Sequence, residues 1–530
     1  MNDQSKYFDV IVVGAGFAGL YMLHRLREMG FQVRAFEAGT GVGGTWYWNR
    51  YPGARCDVDS MEYSYQFSED LQQEWNWSER FSPQPEILGY LNHVADRFEL
   101  RDHIEFDCRV TAARFDEANR RWEVTTEKGH VTAQFCVMAT GCLSSANLPD
   151  IPGRDSFSGG SYHTGHWPHE GVDFSGQRVG VIGTGSSAVQ SIPLIAEQAA
   201  ELTVFQRTAS YSVPARNRAL PANEANTVKE RYAEFRQENW QEPFGVSFQA
   251  AEIGALDVDE NARHQSFEQR WRTGGLRFLG AFSDILIEKD ANDTAAEFVR
   301  QKIKNTVEDP QTAEALMPKQ LIGCKRLCLD TGYYETFNRD NVNLVDLQTD
   351  PIKEIIAQGV RTESREFVLD SLVFATGFDA MTGALDKINI VGRNELSLKA
   401  KWRAGPQTYL GLGVAGFPNL FTVSGPGSPS VLSNMVPTIE QHVEWISDCI
   451  KYVSDKGFET IEAELAEEQA WVEHVNAVAD TTLYPGCNSW YLGANVPGKP
   501  RVFMPYIGVP PYVEKCQQVV ADGYAGFDLS

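Results

Sequence analysis

Short apolar runs rich in β-branched residues, each followed by a glycine-rich turn and then by apolar positions at helical spacing, dominate the first 210 residues. Residues 8–13, Phe-Asp-Val-Ile-Val-Val, predict a buried strand. Gly14-Ala15-Gly16-Phe17-Ala18-Gly19 follows at once. A helical pattern then spans 20–29, Gly30 closes it, and a second strand over 31–36 ends on Glu37. The same order recurs further on. A strand over 178–182 leads into Gly183-Thr184-Gly185-Ser186-Ser187-Ala188, a helix to about residue 199, and a strand over 202–205 that ends at Gln206-Arg207. The two first glycines lie 169 residues apart (183 − 14). A strand running into Ala-Thr-Gly also appears twice, at 135–141 and 372–379. Each reads as a strand that closes one nucleotide domain and carries the chain toward the other.

Residues 221–320 change character. Charge rises, and Ala295, Val299, Ile303 and Val307 fall four apart on one helical face. Asn292 to Thr294 supply cap candidates for that helix, and Pro310 lies past its end. The segment 481–511 is rich in Gly, Pro and aromatics, as in an ordered loop that covers something. The predicted class is α/β: two Rossmann-like dinucleotide-binding domains with a helical insertion in the second. The expected division is 1–147 for the first part of an FAD-binding domain and 148–220 for the first part of an NADP-binding domain. The insertion takes 221–330. The NADP-binding domain resumes over 331–379 and the FAD-binding domain over 380–530, with the mobile loop at about 481–511.

Composition narrows this further. The 530 residues carry 47 Lys+Arg and 71 Asp+Glu, a net charge of −24, so neither nucleic acid nor an anionic membrane is expected as a partner. No stretch approaches the ~20 apolar residues of a membrane helix; the run 409–423 is interrupted by Gly411, Gly413, Gly416 and Pro418. The N-terminus has no apolar targeting core, and a cytoplasmic protein with no obligatory protein partner is expected. Nine cysteines without a CxxC pair fit reduced thiols better than a disulfide framework.

The two turns carry the chemistry. In G-x-G-x-x-G the first glycine turns the chain, the second admits a pyrophosphate, and the third lets helix and strand pack. The helix N-terminus then offers free N–H groups to the phosphates. Glu37, 23 residues after Gly14, is placed to accept from two ribose hydroxyls and repels a 2′-phosphate, so the first site takes FAD or NAD. In the second turn Ala188 replaces the third glycine. Arg207, 24 residues after Gly183, stands where a guanidinium pairs with a 2′-phosphate, and Thr208 adds a hydroxyl. The second site therefore reads as specific for NADPH. Two sites of different specificity imply electron transfer from NADPH to a bound flavin. A disulfide reductase would need a redox-active cysteine pair, so oxygen is the expected outlet.

Between the two units lies Phe157-Ser158-Gly159-Gly160-Ser161-Tyr162-His163-Thr164-Gly165-His166-Trp167-Pro168. This F-x-G-x-x-x-H-x-x-x-W-P pattern resembles the fingerprint of the Baeyer–Villiger monooxygenases, closest to the phenylacetone, steroid and cyclohexanone enzymes of the FAD-plus-NADPH class. The stretch 43–57, the Lys325-Arg326 segment and Asn488 to Asn495 resemble further family segments, and the likeness covers nearly the whole chain. His163, His166 and His169 are spaced three apart, but Gly165 and Pro168 break any helix that would align them, and no metal site is expected. His163 is expected to orient the hinge between domains.

The resemblance implies that NADPH reduces FAD, that O2 adds to the flavin as a peroxide, and that one oxygen enters beside the carbonyl of a hydrophobic ketone to give an ester or lactone. It implies Arg326 as the cation beside the reacting oxygens and Asp57 as the group that holds it. Its cofactor contacts are implied at Gly14, Gly16, Phe17, Ala18, Gly19, Glu37, Gly44, Thr45, Trp46, Arg55, Asp57, Tyr63 and Val110. Further cofactor contacts are implied at Gly183, Thr184, Gly185, Ser186, Ser187, Gln190, Arg207, Thr208, Lys325, Arg326, Met435 and Trp490. Leu143, Ser430, Val431, Leu432 and Met435 are implied to line the substrate pocket. The alternatives are an N- or S-oxidising flavin monooxygenase and a non-catalytic nucleotide-binding protein.

Overall fold

The computed structural model describes residues 6–530. The strand Lys6–Val13 lies inside an eight-stranded sheet, parallel to Val33–Phe36 on one side and Gly129–Met138 on the other. Its side chains alternate: Val10 and Val12 join a core with Leu20 and Leu23, whereas Ile11 and Val13 join a second core with Trp122 and Cys136. A strand buried on both faces reads as one continuous apolar run, as residues 8–13 do. The helix starts at Phe17 rather than 20, and the following strand at Val33 rather than 31. The chain returns to this sheet late, through Asn389–Val391 beside Val110–Asp116 and Leu420–Thr422 beside Gly129–Met138.

The second sheet has five parallel strands in the spatial order Val342–Asp346, Glu201–Gln206, Arg178–Ile182, Ser371–Phe374, Gly160–His163. Val179 and Val181 face the helix Ser186–Gln198 through Ala188 and Ile192, and Ile182 faces the other side with Phe205 and Phe374. A three-stranded antiparallel excursion, Ile352–Ile356, Gly359–Thr362 and Glu366–Val368, interrupts the return and had no counterpart in the sequence reading.

The two Ala-Thr-Gly segments share one structural job. Gly14, at φ 108°, packs so tightly on the Ala139 carbonyl that an added Cβ would sit 2.5 Å from its oxygen. Gly183, at φ 117°, does the same against Ala375 at 2.3 Å. Each first glycine is thus required twice, by its left-handed backbone and by the neighbouring strand end.

The region 221–330 contains five α-helices, from Ala222–Lys229 to Pro310–Leu316. Its first part packs on the core of the first sheet through Ala225, Tyr232, Val246 and Phe248; its later part joins the core of the second. The helix Lys289–Thr306 buries Ala295, Val299 and Ile303 as their spacing requires. It begins earlier than the cap candidates suggested. Asn292 lies inside it, fully buried, donating to the carbonyls of Ile285 and Ile322 and accepting from Ile322 N–H. An asparagine read as a local cap is thus a tertiary brace. Val307 lies just past the last helical residue, and Pro310, past that end as expected, also opens the next helix, capped by Asp309.

The cysteines correct the reading of reduced thiols. Cys324 and Cys487, 163 residues apart in sequence, form a disulfide; the other seven are free and buried. Spacing along the chain could not reveal this pair, because the fold alone makes them neighbours. Among the described residues no helix is long and apolar enough to cross a membrane.

Candidate active site between the two nucleotide folds

The first turn forms a cradle. Helix Phe17–Glu28 starts beyond Gly16, and the backbone of Gly44, ahead of the short helix Thr45–Trp48, comes so close that a Cβ on Gly16 would lie 3.3 Å from its Cα. Glu37 is 6% exposed. Its Oε2 accepts from Ala15 N–H at 2.8 Å and its Oε1 from Gly39 N–H at 2.7 Å. Burial raises its pKa, and the two N–H groups oppose that. A carboxylate oriented by backbone donors, with lone pairs to spare, fits an adenosine ribose, and the free amides at Phe17 and Ala18 fit a pyrophosphate.

The second turn is more open. A Cβ on Gly185 would meet nothing within 4 Å, and Thr184 is fixed by donating its hydroxyl to the Thr208 carbonyl at 2.7 Å. Arg207 and Thr208 are exposed at the strand end. Lys325 lies near enough that, after burial, the Arg207 charge is the next force lowering its pKa. Among the described residues neither cation makes an ion pair. Two adjacent, unpaired cations beside an open dinucleotide turn fit a phosphate monoester.

Arg326 is committed differently. Its Nη2 donates to Asp57 Oδ1 at 3.0 Å and its Nε to Asp57 Oδ2, while Nη1 donates to the Val431 carbonyl at 3.1 Å. The pair is 23% and 25% exposed. Burial on its own would lower the Arg326 pKa; the charge and hydrogen bonds of Asp57 more than reverse this, so the guanidinium stays charged. Three sequence-distant segments therefore meet at one cation, and the Val431 carbonyl is a partner that sequence reasoning did not foresee.

Around this cation gathers an apolar cluster. Leu143, Val431, Leu432, Met435 and Trp490 belong to it, together with Cys142, Met381, Tyr484, Tyr491 and Phe503. Ser430 is buried beside it, its hydroxyl 3.4 Å from Met381 Sδ. Met381, Tyr484, Tyr491 and Phe503 were not singled out from the sequence, although the composition of 481–511 was a signal for the last three. Met435 is the first residue of the helix Met435–Lys456, whose start Asn434 caps.

The contacts of the flavin-like stretch are mixed. Trp46 donates its indole N–H to the Tyr63 hydroxyl at 3.1 Å. Gln190 bridges the two folds, accepting from Tyr51 and donating to the Arg55 carbonyl. Arg55, expected at a cofactor, turns its Nη1 to Glu79 at 2.8 Å and to the Phe81 carbonyl. Ser186 hydrogen-bonds Cys328, Thr45 and Ser187 are at least partly open, and Val110 is buried at a strand start.

The fingerprint folds along the edge of the second sheet, beside Ser371–Phe374. His163 ends the edge strand of the second sheet, and its Nδ1 accepts from Gly165 N–H at 2.9 Å. The ring proton therefore sits on Nε2, which faces Thr376 Oγ1 at 3.4 Å. Burial, with the nearby His166, pushes the pKa of His163 down to about 4, so the ring is neutral at ordinary pH. Thr376 donates to the Asn147 carbonyl, and Asn147 donates from its side chain to the carbonyl of Asn495 in the loop. Trp167 is buried, its ring tilted against Tyr162 and Phe174, and its backbone N–H reaches the Trp48 carbonyl. Phe157 packs by Gly159, where a Cβ would strike the Asp370 carbonyl, and Pro168 follows Trp167 at the surface.

Known proteins share this whole plan. The pyridine nucleotide-disulphide oxidoreductase family model matches residues 11–252. A Baeyer-Villiger monooxygenase of Pseudooceanicola batsensis is 43% identical over 98% of this chain and 95% of its own. A phenazine N-monooxygenase, PhzNO1, of Lysobacter antibioticus is 42% identical over 100% of this chain and 98% of its own. The solved structure of an oxidized steroid monooxygenase bound to NADP has 53% identity and a TM-score of 0.94, with 99% of each chain covered. With the fingerprint present and likeness across its full length, this chain belongs to the Baeyer–Villiger monooxygenases.

Proposed function

We propose that this protein uses NADPH and O2 to convert hydrophobic ketones into esters or lactones, with FAD as its resident cofactor. The observation that carries this is the charged Arg326, fixed by Asp57 and the Val431 carbonyl within an apolar cluster. Bound FAD, reduced by NADPH, supplies activated oxygen; the chain supplies the rest. Glu37, the first turn and Gly44 would hold the FAD. Arg207 and Lys325 would hold the 2′-phosphate of NADPH, and the second turn its pyrophosphate.

Arg326 cannot lose its proton in this setting, so it stabilises the negative charge that develops on the ketone oxygen throughout the reaction. Asp57 is a positioning residue: it fixes the direction of the guanidinium without touching the ketone. Leu143, Val431, Leu432 and Met435 bind the apolar part of the substrate, and a methylene more or less there changes binding by only ~1–3 kcal/mol. The segment 484–506 excludes water. Neutral His163 holds Thr376 and Asn147, and through them the loop, in register.

A second reading is N-oxidation, which the phenazine N-monooxygenase relative favours. The test is a panel of cyclic, aryl and aliphatic ketones beside a thioether and an aromatic N-heterocycle, with oxygen uptake and product mass recorded together. Ester or lactone at one oxygen atom per O2 consumed supports the proposal. Sulfoxide or N-oxide alone, with every ketone untouched, overturns it.

A further inference from the structure

Cys324 precedes Arg326 by two residues, and Cys487 belongs to the loop that closes on the same apolar cluster. The backbone–backbone hydrogen bonds of residues 484–500 close within the loop region itself, as in Cys487 to Tyr484, Leu492 to Ser489 and Gly493 to Trp490, while the Asn495 carbonyl accepts from the Asn147 side chain. The loop's outward ties lie at its flanks. Leu483 N–H donates to the Leu286 carbonyl, the Asn495 side chain donates to the Phe378 carbonyl at 2.7 Å, and Lys499 reaches Asp379 and the Ala380 carbonyl. Between those flanks, residues 484–492 carry Tyr484, Trp490 and Tyr491 over the cation; Tyr491 meets the Arg326 backbone N–H, and the covalent link from there to the Arg326 segment is the disulfide.

We propose that Cys324–Cys487 is a thiol-sensitive latch, which couples NADPH oxidation to oxygen insertion while closed and lets the site leak when opened by a dithiol. This rests on the function proposed above. In the opening step a thiolate of the dithiol attacks one sulfur, the Cys324–Cys487 bond breaks, and the second thiol of the reagent completes the exchange. Two electrons pass to the protein, two protons end on Cys324 and Cys487, and the reagent becomes its own disulfide. A low-molecular-weight disulfide reverses the step and is itself reduced to two thiols. The sulfurs are poorly accessible, with Cys324 5% and Cys487 8% exposed, so attack follows local opening of the loop. Once cut, the 484–492 segment loses its covalent hold, water reaches the cation, and activated oxygen is lost as hydrogen peroxide.

The test uses the FAD-loaded enzyme, first treated with glutathione disulfide and desalted. Alkylation in denaturant should then find seven free thiols of the nine cysteines (9 − 2). After dithiothreitol and desalting it should find nine. Between those states the share of NADPH electrons released as hydrogen peroxide should rise about fivefold, the population change that ~1 kcal/mol of loop closure corresponds to. Re-treatment with glutathione disulfide should restore coupling. Cys324→Ser and Cys487→Ser should start at the leaky level and ignore the reductant, and reversibility in the wild type guards against a variant that folds poorly. Nine thiols after the oxidising treatment, a disulfide that dithiothreitol cannot open in the folded enzyme, coupling unchanged by opening, or a reductant effect that persists in both variants would each overturn the latch. Ester yield from the oxidised wild type reads the underlying function separately. Its complete absence in both redox states overturns the ketone reading, whatever the thiol count.

Discussion

Replacing Asp57 by alanine removes both carboxylate bonds to Arg326 and leaves the guanidinium only the Val431 carbonyl. Both side chains are about three-quarters buried, so solvent replaces little of what is lost. Hydrogen bonds to charged groups contribute ~1.5–3 kcal/mol, and stripping a partner from a fully buried pair costs ~3–5 kcal/mol. For a pair with partial water access, about 2–3 kcal/mol of positioning energy is at stake. If that energy holds Arg326 where the ketone oxygen becomes negative, ester formation falls roughly 30–150-fold. On the proposed assignment reduction by NADPH uses the second turn, Arg207 and Lys325, and should be retained. Anaerobic stopped-flow bleaching of the flavin with NADPH, followed by chromatographic measurement of ester from a saturating ketone, separates the two steps. Asp57→Asn keeps the shape and one acceptor, so its loss should be intermediate. Wild-type ester formation in Asp57→Ala, with Arg326 in place, would refute the positioning argument.

Three further outcomes follow from other parts of the molecule. Arg207→Ala should raise KM for NADPH over KM for NADH by about 1.5–3 kcal/mol, the value of a charge-assisted bond, in steady-state kinetics with both coenzymes; an unchanged ratio counts against the phosphate contact. Glu440 is buried, its Oε1 accepting from Gln66 and Phe67 N–H, and burial raises its pKa to about 8. The folded state therefore keeps a proton that the unfolded chain releases above its ordinary pKa of 4.5. This contribution is complete below pH 4.5 and is lost as pH rises toward 8, by at most ~1.4 kcal/mol per pH unit. Glu440→Gln should flatten the melting-temperature profile between pH 5 and 8, and a slope identical to wild type would contradict that assignment. His163 has the opposite sign: with its pKa depressed to about 4, its contribution is present above pH 6.5 and fades on acidification through 4, so His163→Asn should melt with a shallower acid limb in the same scan.

The two dinucleotide turns were legible in the sequence because their requirements are local. Gly14 and Gly183 need a left-handed backbone and contact with a strand end, and both needs leave a mark in adjacent residues. The apolar run at 8–13 announced a strand buried on both faces for the same reason. Arg326 and Asp57 stand 269 residues apart (326 − 57), and only likeness to a family paired them before the fold did. Nothing local marks the Val431 carbonyl as a ligand, Asn292 as a brace or Cys324 as the partner of Cys487. Each depends on where a distant segment comes to rest. The antiparallel excursion over 352–368 was missed because its strands are three to five residues long and only partly buried, too short for periodicity to register.

The most direct test of the account is a double readout on Arg326→Ala. The variant should still be bleached by NADPH without air and should still consume oxygen, yet form no ester, its electrons emerging as hydrogen peroxide. Ester produced at the wild-type rate by a protein lacking that guanidinium would contradict the central claim that a fixed positive charge at residue 326 makes oxygen insertion possible.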